Sequence, residues 1–140
     1  MFSVRIRNMM ELEKMVTAPL ETTISEAARM MASGRVGAVM VVDDEALVGI
    51  FTERDAVFRV IAPGRDAQTT RLADVMTPSP VSVDPERSFG HALQLMHQHG
   101  FRHVPVVENG KPVGIVSARD ALDPEMEDFI CEAQRREGIR

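Results

Sequence analysis

The stretch Val48-Gly49-Ile50-Phe51-Thr52-Glu53-Arg54-Asp55-Ala56 returns 65 residues later as Val113-Gly114-Ile115-Val116-Ser117-Ala118-Arg119-Asp120-Ala121. Sliding the chain along itself by that offset aligns 16–56 with 81–121 without a gap, and 13 of the 41 paired positions are identical. Such an internal repeat decides the architecture before any single element does. Where residue types differ, chemistry is kept: Thr52 and Ser117 both carry a hydroxyl.

Working outward, each copy has the same elements. Ile24, Ala27, Ala28 and Met31 form the i, i+3, i+4, i+7 stripe of a helix packed on one face, and Phe89, Ala92, Leu93 and Met96 repeat it. Thr23-Ile24-Ser25-Glu26 reads as a capping box at the first helix start, and Ser88 takes the same position in the second copy. The continuous apolar runs Ala38-Val39-Met40-Val41-Val42 and Val104-Pro105-Val106-Val107 suit strands buried on both faces. Asp43-Asp44-Glu45 and Glu108-Asn109-Gly110 are turns, and a second strand and second helix follow in each copy. The organisation expected is an N-terminal segment 1–14, repeats at 15–61 and 75–123, a polar linker 62–74 and a C-terminal helix and tail 124–140. Neither half would bury enough surface to be comfortably stable alone. The fold class is α+β, with two β-α-β-β-α repeats expected to pack sheet to sheet about a pseudo-two-fold axis.

Composition bounds the function. The chain has 140 residues, a net charge of −5, ten Met, six Phe, one Cys and neither Trp nor Tyr. No apolar run reaches the roughly 18 residues of a membrane span, the N-terminus lacks the apolar core of a secretion signal, and the lone Cys131 precludes an internal disulfide. A cytoplasmic protein without membrane or nucleic-acid partners is expected, since the balance is acidic and no aromatic platform exists to stack bases. Of the four histidines, His91 and His97 point apart and Gly100 separates His99 from His103, so no metal site is expected. Cys131 has no histidine near it in sequence, and no catalytic residues are expected.

The repeated block itself suggests a ligand. A strand that turns into a helix at (Thr/Ser)-x-Arg-Asp presents open amides and the positive end of the helix dipole to a phosphate. Thr52 and Ser117 add hydroxyls, Arg54 and Arg119 add charged donors, and Asp55 and Asp120 can accept from a ribose diol. The plainer alternative is that Thr52 and Ser117 merely cap the helix, with Asp55 and Asp120 supporting its first turn.

The chain resembles a tandem pair of CBS domains, the small repeat named after cystathionine β-synthase. The resemblance rests on the duplication, on Met76-Thr77-Pro78 before the second copy, on Arg102-His103-Val104-Pro105-Val106-Val107, and on Gly49-Ile50-Phe51-Thr52-Glu53-Arg54-Asp55 with its counterpart Gly114-Ile115-Val116-Ser117-Ala118-Arg119-Asp120. It implies two clefts for adenosyl ligands such as AMP, ADP, ATP or S-adenosylmethionine, bound for regulation, with no obligatory cofactor. Thr52 and Asp55, and Ser117 and Asp120, would then contact phosphate and ribose, and Arg102 and His103 would face the phosphates. Adenine would rest near Val16-Thr17-Ala18-Pro19 in one copy and Val81-Ser82-Val83-Asp84 in the other, with Met30, Met31 and Met96 as further lining. The first copy has Gly37 and Ala38 in place of Arg102 and His103, and Met40 in place of Pro105, so unequal sites are expected. The family habit further implies a homodimer, expected here through the stripes around Ala27, Met31, Ala92 and Met96 and the second helices, and an output on an effector protein in trans, such as energy sensing. The competing reading is a dimerisation scaffold without a physiological ligand.

Overall fold

The structure, a computed structural model, describes residues 3–9 and 15–122 and Arg135. It contains β1 (Thr17–Pro19), α1 (Ile24–Gly34), β2 (Ala38–Asp43), β3 (Ala46–Thr52), α2 (Glu53–Asp55), α3 (Leu72–Val75), β4 (Thr77–Pro78), α4 (Phe89–His99), β5 (His103–Glu108) and β6 (Lys111–Ser117). Helix α2 runs on into a wider winding over Ala56–Ile61, and short 3-10 turns occupy Ile6–Asn8 and Ala118–Leu122. The helix expected near 125–136, with Cys131, lies outside the described residues. No helix among those described is long and apolar enough to cross a membrane.

Two compact units form. One comprises Lys14–Pro80 with Gly110–Pro112; the other comprises Met1–Glu13, Val81–Asn109 and Val113–Arg140. In the first, β1 runs parallel to β2, β2 pairs antiparallel with β3, and β3 pairs with the short β4. In the second, β5 and β6 form a hairpin, and the strand expected at its start is reduced to one parallel bridge, Val83 with Val106. Both hairpins turn through two residues at positive φ. They are Asp44 (50°) and Glu45 (67°) in one, and Asn109 (55°) and Gly110 (78°) in the other. That pairing matches the right-handed strand twist.

Helix α1 starts where expected. The Thr23 hydroxyl accepts from the Glu26 N–H at 3.2 Å, and Ser88 accepts from the His91 N–H at 3.1 Å. The helix stripes turn inward: Ile24, Ala27 and Met31 are buried with Val39, Val41 and Phe51, while Phe89, Ala92 and Met96 are buried with Val104, Val106 and Val116. This corrects two expectations. Ala27, Met31, Ala92 and Met96 are 8% exposed or less and lie in the cores of their own units, so they are neither a dimer surface nor a cleft lining. A stripe of small and flexible side chains fits against a sheet, and that contact consumes it.

Each core is closed by a segment that precedes the other repeat in sequence. Val4, Ile6 and Met9 are fully buried in the second core, and Leu72 and Val75 in the first. Backbone bonds seat both straps in the same way. Phe89 N–H donates to Val4 C=O at 2.8 Å and Ile6 N–H to Arg87 C=O at 2.8 Å. In the other unit, Ile24 N–H donates to Thr70 C=O at 2.9 Å and Leu72 N–H to Thr22 C=O at 2.8 Å. Arg5-Ile6-Arg7-Asn8-Met9 is thus the counterpart of Arg71-Leu72-Ala73-Asp74-Val75. Thr70 and Leu72, within the span 62–74 read as linker, are buried, as is Val75 at the start of the second repeat.

Ion pairs lie over both straps. Arg7 pairs with Glu86 and Glu108, and Arg71 with Glu21 (2.8 Å) and Asp74 (3.1 Å). The Arg71 backbone N–H and guanidinium hold the Asp74 carboxyl below the usual carboxylate range. The same partners, Asp74 first and then Glu21, raise the Arg71 guanidinium. These groups are solvent-exposed, so burial of Ile6 and Leu72 outweighs them. Ile6→Ala and Leu72→Ala should each cost about 2–5 kcal/mol. Amide exchange should show Ile6→Ala loosening α4 and β5, and Leu72→Ala loosening α1 and β2. Loosening of the repeat adjacent in sequence instead would refute the exchanged straps.

Candidate functional site

Both copies bring the same backbone ends together. In the first unit, β1 and β2 start at the end of the sheet where β3 finishes. Thr17 lies opposite Met40, and Ala38 opposite Thr52. Met40 N–H donates to Val16 C=O at 2.9 Å, and Glu53 N–H to Gly37 C=O at 3.0 Å. Val16, Thr17, Gly37, Ala38, Thr52 and Asp55 therefore gather at one sheet end. Pro19 lies opposite Val42, towards the other end of the strand, and is exposed. In the second unit, Ala118 N–H donates to Arg102 C=O at 2.9 Å, and Val83 N–H to Pro105 C=O at 2.9 Å. Val81, Ser82, Arg102, His103, Ser117 and Asp120 gather correspondingly. Val83 contributes backbone only, because its side chain is buried in the second core.

The repeated hydroxyl and carboxylate do form a cap. In the first copy, Thr52 Oγ1 accepts from the Asp55 N–H at 3.2 Å, and Asp55 Oδ2 accepts from the Thr52 N–H at 3.0 Å. In the second, Asp120 Oδ2 accepts from the Ser117 N–H at 2.8 Å, and Ser117 Oγ accepts from the Arg119 N–H at 3.1 Å. Capping does not exhaust these groups. A hydroxyl that accepts a bond still has its own O–H to donate, and a carboxylate has about four acceptor positions. The cap fixes the turn and leaves each group further hydrogen-bonding capacity, so the two sequence readings are compatible.

The cations differ between the copies. Arg54 stacks over the Phe58 ring, 5.3 Å from its centre, and both residues are exposed. The cation beside the first carboxylate is instead Arg59, whose Nε lies 3.6 Å from Asp55 Oδ1. Arg59 lies beyond the repeated block, and its i, i+4 spacing from Asp55 is the signal that could have found this role. Its counterpart at the 65-residue offset is Pro124. In the second copy, Arg102 and Arg119 are exposed and His103 is half-buried. His99, at the end of α4, stacks on Phe101 at 5.2 Å. Among the described residues, no group of three or more His, Cys, Asp or Glu is placed to hold a metal ion.

The comparisons with known proteins agree with this geometry. The family model described as the CBS domain matches residues 6–62 and 72–125. The chain belongs to the CBS-domain family and carries a tandem pair of these domains. It is 41% identical over 107 residues to the CBS domain-containing protein YhcV of Bacillus subtilis, covering 76% of each chain. A crystal structure of a conserved protein from Pyrococcus horikoshii matches with a TM-score of 0.79 and 30% identity, over 87% of this chain and 92% of that one. The CBS domain protein PAE2072 from Pyrobaculum aerophilum, complexed with AMP, matches with a TM-score of 0.78 and 26% identity, over 92% and 99%. Against several fungal and plant relatives, the chain spans only 15% to 21% of their length.

The cap geometry sets one expectation. Thr52→Val removes the acceptor for the Asp55 N–H at nearly constant volume, and should cost about 1 kcal/mol in denaturant unfolding. An unchanged midpoint would show that the cap adds nothing to stability.

Proposed function

We propose that the chain is a regulatory module that binds an adenosyl ligand at the Thr52–Asp55 and Ser117–Asp120 turns and passes a conformational signal to an effector protein. The observation that carries this reading is the doubled turn. In both copies a capped hydroxyl–carboxylate pair stands beside the start of the central strand, where extended backbone at 16–17 or 81–82 offers an edge to a flat base. The AMP complex of the structurally similar Pyrobaculum protein supports the ligand class. Thr52 or Ser117 would donate to phosphate, and Asp55 or Asp120 would accept from ribose. Arg102, His103 and Arg119 would add charge at the second cleft, so AMP, ADP and ATP would discriminate between the clefts by phosphate number, while S-adenosylmethionine would test for a ligand without phosphate. The reading involves no catalytic step.

Of the surfaces expected for self-association, the second helix of the first repeat is the one that stays exposed. Val57, Phe58 and Ile61 are 50%, 62% and 70% exposed along the winding after α2, an apolar helical surface among the described residues that is open to a second copy. A homodimer through this surface should revert to monomer in Phe58→Glu, measured by sedimentation. An unchanged mass would place the contact elsewhere.

Isothermal titration with AMP, ATP and S-adenosylmethionine tests the ligand. Asp55→Asn and Asp120→Asn retain a carbonyl acceptor for the cap but lose half of the carboxylate, so each should weaken one cleft by at least about tenfold, with the fold intact. With no Trp or Tyr in the chain, nucleotide retained through purification would also stand out in absorbance near 260 nm. No binding tighter than about 1 mM would favour the scaffold reading.

A further inference from the structure

Helix α2 continues over Ala56–Ile61 with i→i+5 bonding: Ala62 N–H donates to Val57 C=O at 2.9 Å, and Arg65 N–H to Val60 C=O at 2.9 Å. Such wide turns often sit at functional sites. Arg59 lies within this one. Its Nη1 donates to Val75 C=O and to Met76 C=O, each at 3.2 Å, while its Nε faces Asp55 Oδ1. These two carbonyls stand at the end of α3, where the helix's own bonding runs out. Directly after them, β4 pairs with β3 at Gly49 and Ile50, and β3 ends at Thr52. Met76 lies so close over Gly49 that any side chain there would run into it. The Thr52–Asp55 turn, Arg59, the end of α3 and β3 thus form a closed ring of contacts.

We propose that Arg59 is a positioning residue that ties the first candidate cleft to the segment 75–80, the chain that leads directly into Val81 and Ser82 of the second. The proposal rests on the reading of Asp55 as a ligand contact. A ribose hydroxyl donating to Asp55 Oδ1 competes with the Arg59 ion pair, and that loosens or redirects the guanidinium that holds Val75 and Met76. The fork geometry matters, because one planar group spans two carbonyls and a carboxylate, which an ammonium does not reproduce. At the 65-residue offset the sequence has Pro124, a residue type without a side-chain donor.

Amide exchange by NMR tests this in full-length protein carrying Asp120→Asn, so that AMP reports on the first cleft. Without ligand, Arg59→Gln should speed exchange of the Asp55, Met76 and Ser79 amides by about fivefold and leave Val104 and Val106 unchanged, with Arg59→Lys intermediate. Wild-type rates at Met76 and Ser79 would overturn the clamp, whether or not AMP binds. With saturating AMP, the Arg59-containing parent should change its exchange at Met76 and Ser79, and Arg59→Gln should lose that response while still binding. A response that survives Arg59→Gln overturns the coupling. If the parent binds no AMP, the nucleotide reading of the first cleft fails and the ligand step with it, while the ligand-free comparison still decides the clamp.

Discussion

Burial of two short straps is the contact on which the rest of the molecule depends. A single β-α-β-β unit leaves one side of its helix start and sheet uncovered, and about fifty residues rarely bury enough apolar surface to offset the entropy of ordering them. Here Ile6 and Leu72 fill that gap, each docked by backbone bonds to the loop before a helix. The second core is closed by a segment that precedes the first repeat, whereas the first is closed by the chain that follows directly from it. The arrangement also fixes the height of the chain at residues 4–9 and 70–76, and hence where β4 can meet β3.

The candidate clefts inherit their geometry from that frame. Strand β3 is held between β2 and β4, so Thr52 emerges at a defined point. The reciprocal bonds of Thr52 and Asp55 then set the turn before any ligand arrives. A ligand meeting polar groups already oriented by the backbone loses less ordering entropy on binding. The same economy explains why one residue pair serves as both cap and candidate contact. Similar caps do not make identical clefts, however. Arg59 bridges one carboxylate and the strap carbonyls, while the second sheet end carries Arg102 and His103, with Arg119 in the turn itself.

Much of this was legible in the sequence, because repetition and periodicity are strong signals. The helix starts at Thr23 and Ser88, the doubly buried strands and the Asn109-Gly110 turn follow from local chemistry that tertiary contacts did not override. Three matters were not legible. The strap 4–9 resembles 70–75 too weakly, and at an offset one residue longer than the main repeat, to register beside the strong block. The stripes at Ala27–Met31 and Ala92–Met96 showed that a face was apolar but not what covers it, and a sheet of the same unit took precedence over a second copy. Arg59 was missed for a related reason: two of its partners are main-chain carbonyls, which carry no residue signature, and only the i, i+4 spacing from Asp55 pointed to the third.

The exchanged straps also impose an order of assembly. The first unit closes with Leu72, about twenty residues after Phe51, so nearly all of its core is one uninterrupted length of chain. The second closes with Ile6, about eighty residues before Phe89. In equilibrium terms the longer loop costs little, about 0.6 kcal/mol for each doubling. In time it matters more, because distant contacts form slowly. During synthesis, Val4, Ile6 and Met9 leave the ribosome well before α4 and β5 and have no core to enter until those follow. Through that interval the growing chain carries three apolar side chains whose proper burial site does not yet exist.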